Sequence, residues 1–94
     1  MPDSAVRRFL ELVARELGAD DSRAEFGGRD PDASGVIFKN LANGWRIVAV
    51  FDRTPPDRQI AQAKLDRLAE TFSHTLTELH SPAPAAGTLP ARRL

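Results

Sequence analysis

The sequence predicts an α+β fold: an N-terminal helix, an antiparallel β-hairpin, a long C-terminal helix and a disordered Pro/Ala-rich tail, with room for one short extra strand. Three observations predict it. Residues 4–17 carry an apolar stripe at helical spacing. Residues 35–56 hold two apolar runs joined by Asn43-Gly44 and followed by Thr54-Pro55, the pattern of a hairpin entering a helix. From Ala61 onward, apolar residues recur at steps of three and four,.

In the first helix Asp3 or Ser4 can accept from the open first-turn N–H groups, and Gly18 supplies a left-handed terminator. Val6, Phe9, Leu10, Val13 and Leu17 share one face, with Arg7, Arg8, Glu11 and Arg15 mostly elsewhere,. Residues 19–35 are polar and rich in Gly, Asp and Pro, hence loop; within them only 23–26 suit a short edge strand, ended by Gly27-Gly28.

A two-residue type I′ turn at Asn43-Gly44 pairs Ala42 with Trp45, Asn40 with Ile47, Phe38 with Ala49 and Val36 with Phe51. Opposed residues share a face. The core face is then Val36, Phe38, Trp45, Ile47, Ala49 and Phe51. The second face is Ile37, Leu41, Val48 and Val50, edged by Lys39, Arg46 and Asp52. Slipping the register by one residue scrambles both sets.

Residues 55 to about 80 read as one helix, with Thr54 as N-cap, Pro55 first and Asp57 in the first turn. Its seam is Ala61, Leu65, Leu68, Phe72, Leu76 and Leu79, widened by Ile60. A helix of about 25 residues is roughly 37 Å long, against about 26 Å for a strand of roughly eight residues. It therefore overhangs the sheet and leaves its far end seeking cover. Residues 1–80 form a single domain, and 81–94 (S-P-A-P-A-A-G-T-L-P-A-R-R-L) have the composition of a disordered tail,.

Composition narrows the function. The 94 residues carry 13 basic and 13 acidic side chains, for zero net charge, which removes the general electrostatic case for nucleic acid or an anionic membrane. With no cysteine, thiol catalysis and Cys-ligated zinc are excluded. No apolar run is of membrane-spanning length and the N-terminus lacks a signal pattern, so a cytoplasmic location is the expectation.

The chemical motifs are weak. Asp30-Pro31-Asp32-Ala33-Ser34-Gly35-Val36-Ile37 fits the first eight positions of a calcium loop, but the position for the bidentate Glu is Leu41,; an Asx-rich turn explains the same residues. His74 and His80 lie about 240° apart around a helix and cannot share a metal. Glu70 and His74 are neighbours on an outer helix face. Asp52 has Arg46 or Arg53 as salt-bridge candidates. No nucleophile sits in a recognisable setting, and Gly27-Gly28 lacks the spacing of a phosphate loop. No catalytic residue, cofactor or metal is expected.

The leading expectation is a non-enzymatic protein-interaction module: a homodimer that also meets another protein as a small adaptor, chaperone or regulatory subunit. Its contact residues would be Ile37, Leu41, Val48, Val50, Phe72, Leu76 and Leu79, since an open apolar patch of this kind is rare on monomers and two hairpin edges invite pairing. On that view Val48→Asp or Leu76→Asp breaks self-association and leaves the helices intact. One alternative is nucleic-acid binding through Arg7, Arg8 and Arg15 of the first helix, Lys39, Arg46 and Arg53 of the hairpin, and Arg92 and Arg93 of the tail, with steep salt dependence. Another is a small enzyme or ligand-binding dimer with an intersubunit pocket that uses Asn40, Asp52 and Arg53.

Overall fold

A computed structural model describes residues 2–79. The elements run α1 (Pro2–Leu17), β1 (Asp21–Phe26), β2 (Val36–Asn40), β3 (Trp45–Val50), α2 (Arg58–Thr71) and α3 (Ser73–Leu76). The expected tail, His80, Arg92 and Arg93 lie outside the described residues. Among the described residues no helix is long and apolar enough to cross a membrane.

The first helix forms on the expected apolar stripe but starts at Pro2, so Asp3 and Ser4 lie within it rather than before it. Val6, Phe9 and Val13 are buried, and Leu10 and Leu17 pack beside them. Gly18 takes φ +72°; its N–H reaches the Arg15 carbonyl at 3.3 Å and the Ala19 N–H reaches the Ala14 carbonyl at 2.8 Å, the paired bonds that close a helix through a left-handed glycine.

The sheet has three antiparallel strands in the order β1-β3-β2. β1 is real and begins two residues earlier than its sequence suggests. The hairpin register differs from the type I′ expectation. Phe38 faces Val48 and Ile37 faces Ala49, a slip of one residue. The cause is the turn. The Gly44 N–H bonds the Leu41 carbonyl at 3.2 Å and the Leu41 N–H bonds the Trp45 carbonyl at 2.7 Å, so three residues, Ala42, Asn43 and Gly44, form the loop. Gly44 alone takes positive φ, +92°, as in a type I turn closed by a glycine bulge. Asn43 favours this geometry: its Oδ1 accepts from the Trp45 N–H at 3.0 Å, and its Nδ2 donates to the carbonyls of Leu79 at 3.1 Å and Leu76 at 3.4 Å. The hairpin tip thus ties itself to the end of the last helix, where the Leu76 carbonyl also accepts from the Leu79 N–H at 3.1 Å,.

The slip leaves the β3 faces as expected and inverts those of β2. Ile37, Ile47, Ala49 and Phe51 join Phe9, Val13, Ala61, Leu65, Ala69 and Leu76 in one core. Val36 and Phe38, expected in that core, move to the opposite face with Val48 and Val50. Ile37, expected on the second face, is 1% exposed within the core, and Leu41 packs at the core's margin. Trp45 is only partly buried and meets the Phe26 ring edge-on at 5.3 Å.

The C-terminal helix starts late and breaks early. Asp57, not Thr54, is its N-cap, with the carboxylate accepting from the Ile60 N–H at 3.1 Å; Pro55 and Pro56 precede the helix. α2 ends at Thr71, and Phe72 at φ −104°, ψ 23° separates it from α3. Three β-branched or hydroxyl residues, Thr71, Ser73 and Thr75, lower helix propensity there, and the Phe72 ring turns onto Phe9 at 5.4 Å. A helix of 14 residues spans about 21 Å, close to the length of a six-residue strand, so the overhang disappears. Asp57→Ala is expected to lower stability by about 1 kcal/mol, read as a shifted midpoint in urea with unchanged slope.

Candidate interaction edge

β1 and β2 each run antiparallel to β3, the strand between them. They are therefore parallel to each other, and the chain must return from the Phe26 end of β1 to the Val36 end of β2. The two helices cover the face bearing Ile47 and Ala49, so residues 27–35 cross the other face. Arg46 pins them there. Its side chain stands on that face beside Val48, and the residue is 5% exposed. Nε donates to Asn40 Oδ1 at 2.9 Å; Nη1 donates to the Gly27 and Arg29 carbonyls at 3.3 and 3.0 Å; Nη2 donates to the Gly28 carbonyl at 3.4 Å and Asp30 Oδ1 at 2.8 Å. Beneath, the guanidinium lies 5.4 Å from the Phe38 ring centre, a favourable cation–π distance. A fork of five donors meets acceptors throughout, which is what a buried charge requires.

This arrangement redistributes the residues singled out in the sequence. Val48 is 1% exposed, and Val50 remains partly open. Leu76 is buried, while Phe72 and Leu79 pack against the core. The seven expected contact residues therefore form no single exposed patch. Arg46 salt-bridges Asp30 rather than Asp52, and Asp30 serves the guanidinium in place of a calcium ligand set. Among the described residues no group of three or more His, Cys, Asp and Glu is placed to hold a metal. Asn40 is bonded to Arg46 and Asp30 at the hairpin tip, whereas Asp52 and Arg53 follow the far end of β3, so one chain does not bring these three together. Arg7, Arg8, Arg15 and Arg53 are exposed, but with Arg46 committed to the loop the hairpin offers no continuous basic ribbon. A groove of about 220 Å³ beside Leu41, Asn43, Ala69 and Leu76 has no titratable side chain in its lining and is smaller than sites that enclose drug-sized ligands.

What the fold does expose is a strand edge, and its two edges are unlike. Along β2, Val36, Phe38 and Asn40 turn their backbone polar groups away from β3. α2 reaches over to them: Arg58 Nη2 donates to the Val36 carbonyl at 3.2 Å, Arg58 Nη1 to the Ser34 carbonyl, and Gln62 Nε2 to the Phe38 carbonyl at 2.9 Å. Along β1, alternation places the N–H and C=O of Ser22, Ala24 and Phe26 outward,. Among the described residues no hydrogen bond reaches these backbone groups; the Ser22 hydroxyl turns instead to the Leu10 carbonyl at 2.5 Å. Phe26, at the end of this edge, is 43% exposed.

The side chains of β1 on the loop-covered face are Asp21, Arg23 and Glu25. Arg23 Nε meets Glu25 Oε2 at 2.7 Å, and Arg23 Nη1 lies 3.8 Å from Asp21. The hydrogen bond to Glu25, and then its charge, raise the Arg23 pKa above its ordinary value. Asp21 and Arg23 are well exposed and Glu25 is half-buried, so these solvent-facing pairs contribute little to stability. Sequence reasoning offered 23–26 as a short edge strand but missed its full length and the Arg46 clamp. A signal for the clamp was present: an arginine inside the apolar run W-R-I-V-A-V, where a charge persists only if its donors are satisfied.

No family model, curated protein or solved structure matches the chain significantly.

Proposed function

We propose that the protein is a non-enzymatic protein-interaction module of the adaptor, chaperone or regulatory-subunit kind, and that it engages by accepting an extended strand along β1. The observation that supports this is the inequality of the two edges: α2 side chains occupy the β2 carbonyls, while the backbone of Ser22, Ala24 and Phe26 is left to an outside partner. Strand addition supplies main-chain hydrogen bonds for affinity and side-chain contacts for specificity, and native sheets seldom leave a six-residue edge without some device to cover or use it.

The test is a photo-crosslinker at position 26 (Phe26→p-benzoylphenylalanine) in the full chain. An adduct to an extended segment of a second polypeptide is expected. Ala24→Pro removes an N–H that serves no bond to β3, so the monomer should keep its circular dichroism while the adduct falls at least about tenfold. Adducts that persist undiminished in the proline variant would place the contact elsewhere.

A further inference from the structure

We infer that the strand seated on β1 is β1 of a second copy of this chain, paired antiparallel about a two-fold axis through Ala24. This rests on the edge proposed above and names its occupant. The inference comes from charge order. A two-fold axis perpendicular to the sheet keeps the helices of both copies on one side and must pass through a residue of β1. Centred on Arg23, it sets Arg23 against its own copy and Asp21 against the second copy's Glu25. Centred on Glu25, it sets two glutamates face to face. Like charges directly opposed are unfavourable. Centred on Ser22, it opposes Asp21 and Arg23 but leaves β1, which starts at Asp21, only a short overlap.

Centred on Ala24, the conflicts vanish. Arg23 of each copy faces Glu25 of the other. Ser22 faces Phe26, covering a ring that is 43% exposed in the single chain. Ala24, with its small side chain, meets itself on the axis. The outward residues of this register, Ser22, Ala24 and Phe26, are the ones whose N–H and C=O point away from β3, and each such pair exchanges two backbone hydrogen bonds. The existing contact between Arg23 and Glu25 within one strand becomes part of a four-residue charge network across the axis, and two three-stranded sheets merge into one.

Charge reversal tests the register. Wild-type full chain should run as a dimer in size-exclusion light scattering at about 100 μM, with the dimer fraction falling on dilution. Arg23→Glu alone and Glu25→Arg alone each oppose like charges across the axis, and each should weaken association at least about tenfold, with circular dichroism unchanged because neither side chain belongs to the buried core. An equimolar mixture of the two variants opposes glutamate and arginine at every position and should restore the complex, seen as a mixed dimer by native mass spectrometry. A monomeric wild type, single variants that still dimerise, or a mixture no better than its components would each overturn self-pairing. A monomeric wild type whose position-26 adducts join a different polypeptide would overturn self-pairing alone. A dimer indifferent to the reversals and to Ala24→Pro would overturn the β1 edge as well.

Discussion

An Arg46→Ala chain is expected to lose about 3 kcal/mol of stability in urea unfolding and to release residues 27–35 from the sheet. The ion pair itself is the smaller part. The Asp30 side chain is 62% exposed, and half-solvated pairs of this sort contribute at most about 1 kcal/mol. The larger part is the buried fork. Three consecutive loop carbonyls, Gly27, Gly28 and Arg29, are held by one guanidinium, and the side chain lies over the Phe38 ring. Truncation removes those bonds together and uncovers the Phe38 ring. Asp30→Ala should therefore cost about 1 kcal/mol or less. Arg46→Lys should recover less than half of the loss, because an ammonium on a flexible stem cannot reproduce five donors in a plane. Hydrogen exchange gives a second reading: the Val36 N–H, bonded to the Ala33 carbonyl at 3.2 Å, should lose protection. A cost for Arg46→Ala below about 1 kcal/mol would mean that the loop stays in place without its clamp.

Leu76→Asp is expected to unfold the domain. Leu76 is 4% exposed and belongs to the same core as Phe9, Ile47 and Leu65. Losing its methyl groups alone costs about 2–5 kcal/mol, and placing a carboxylate there adds a desolvation penalty of several more. The sum approaches the whole stability of a small domain, about 5 kcal/mol at the low end. The expected readout is loss of helical circular dichroism and of a cooperative melt. Thr77→Asp, one residue on and exposed, is the control and should leave both intact. A folded Leu76→Asp chain that has lost self-association would instead mean that the end of the last helix is an interface, as the apolar seam of the sequence by itself suggests.

Much of the fold was legible because it depends on neighbours in the chain. The stripe from Val6 to Leu17 and the terminator Gly18 specify α1 almost completely, since helix periodicity and a left-handed glycine are local matters. β1 was visible only faintly: its residues alternate charged with small ones, and such a strand is fixed by pairing rather than by its own apolar pattern. The β3 faces were also legible, because Trp45, Ile47, Ala49 and Phe51 alternate with Arg46, Val48 and Val50. β2 was not. V-I-F-K-N is apolar at adjacent positions, so either register buries something acceptable, and the choice fell to a turn whose asparagine donates to carbonyls more than thirty residues away.

The sequence by itself therefore determined the order of elements, the α+β class, the first helix and its end, and the presence of a hairpin at Asn43-Gly44. Only the tertiary structure decided the register of that hairpin, the break at Phe72, the passage of residues 27–35 over the sheet beneath Arg46, and which sheet edge stays open. The physical reason is the same in each case. Local propensities bind residues a few positions apart, whereas these outcomes turn on polar groups finding partners 16 to 36 residues distant, and on which apolar side chains then fit together in one core.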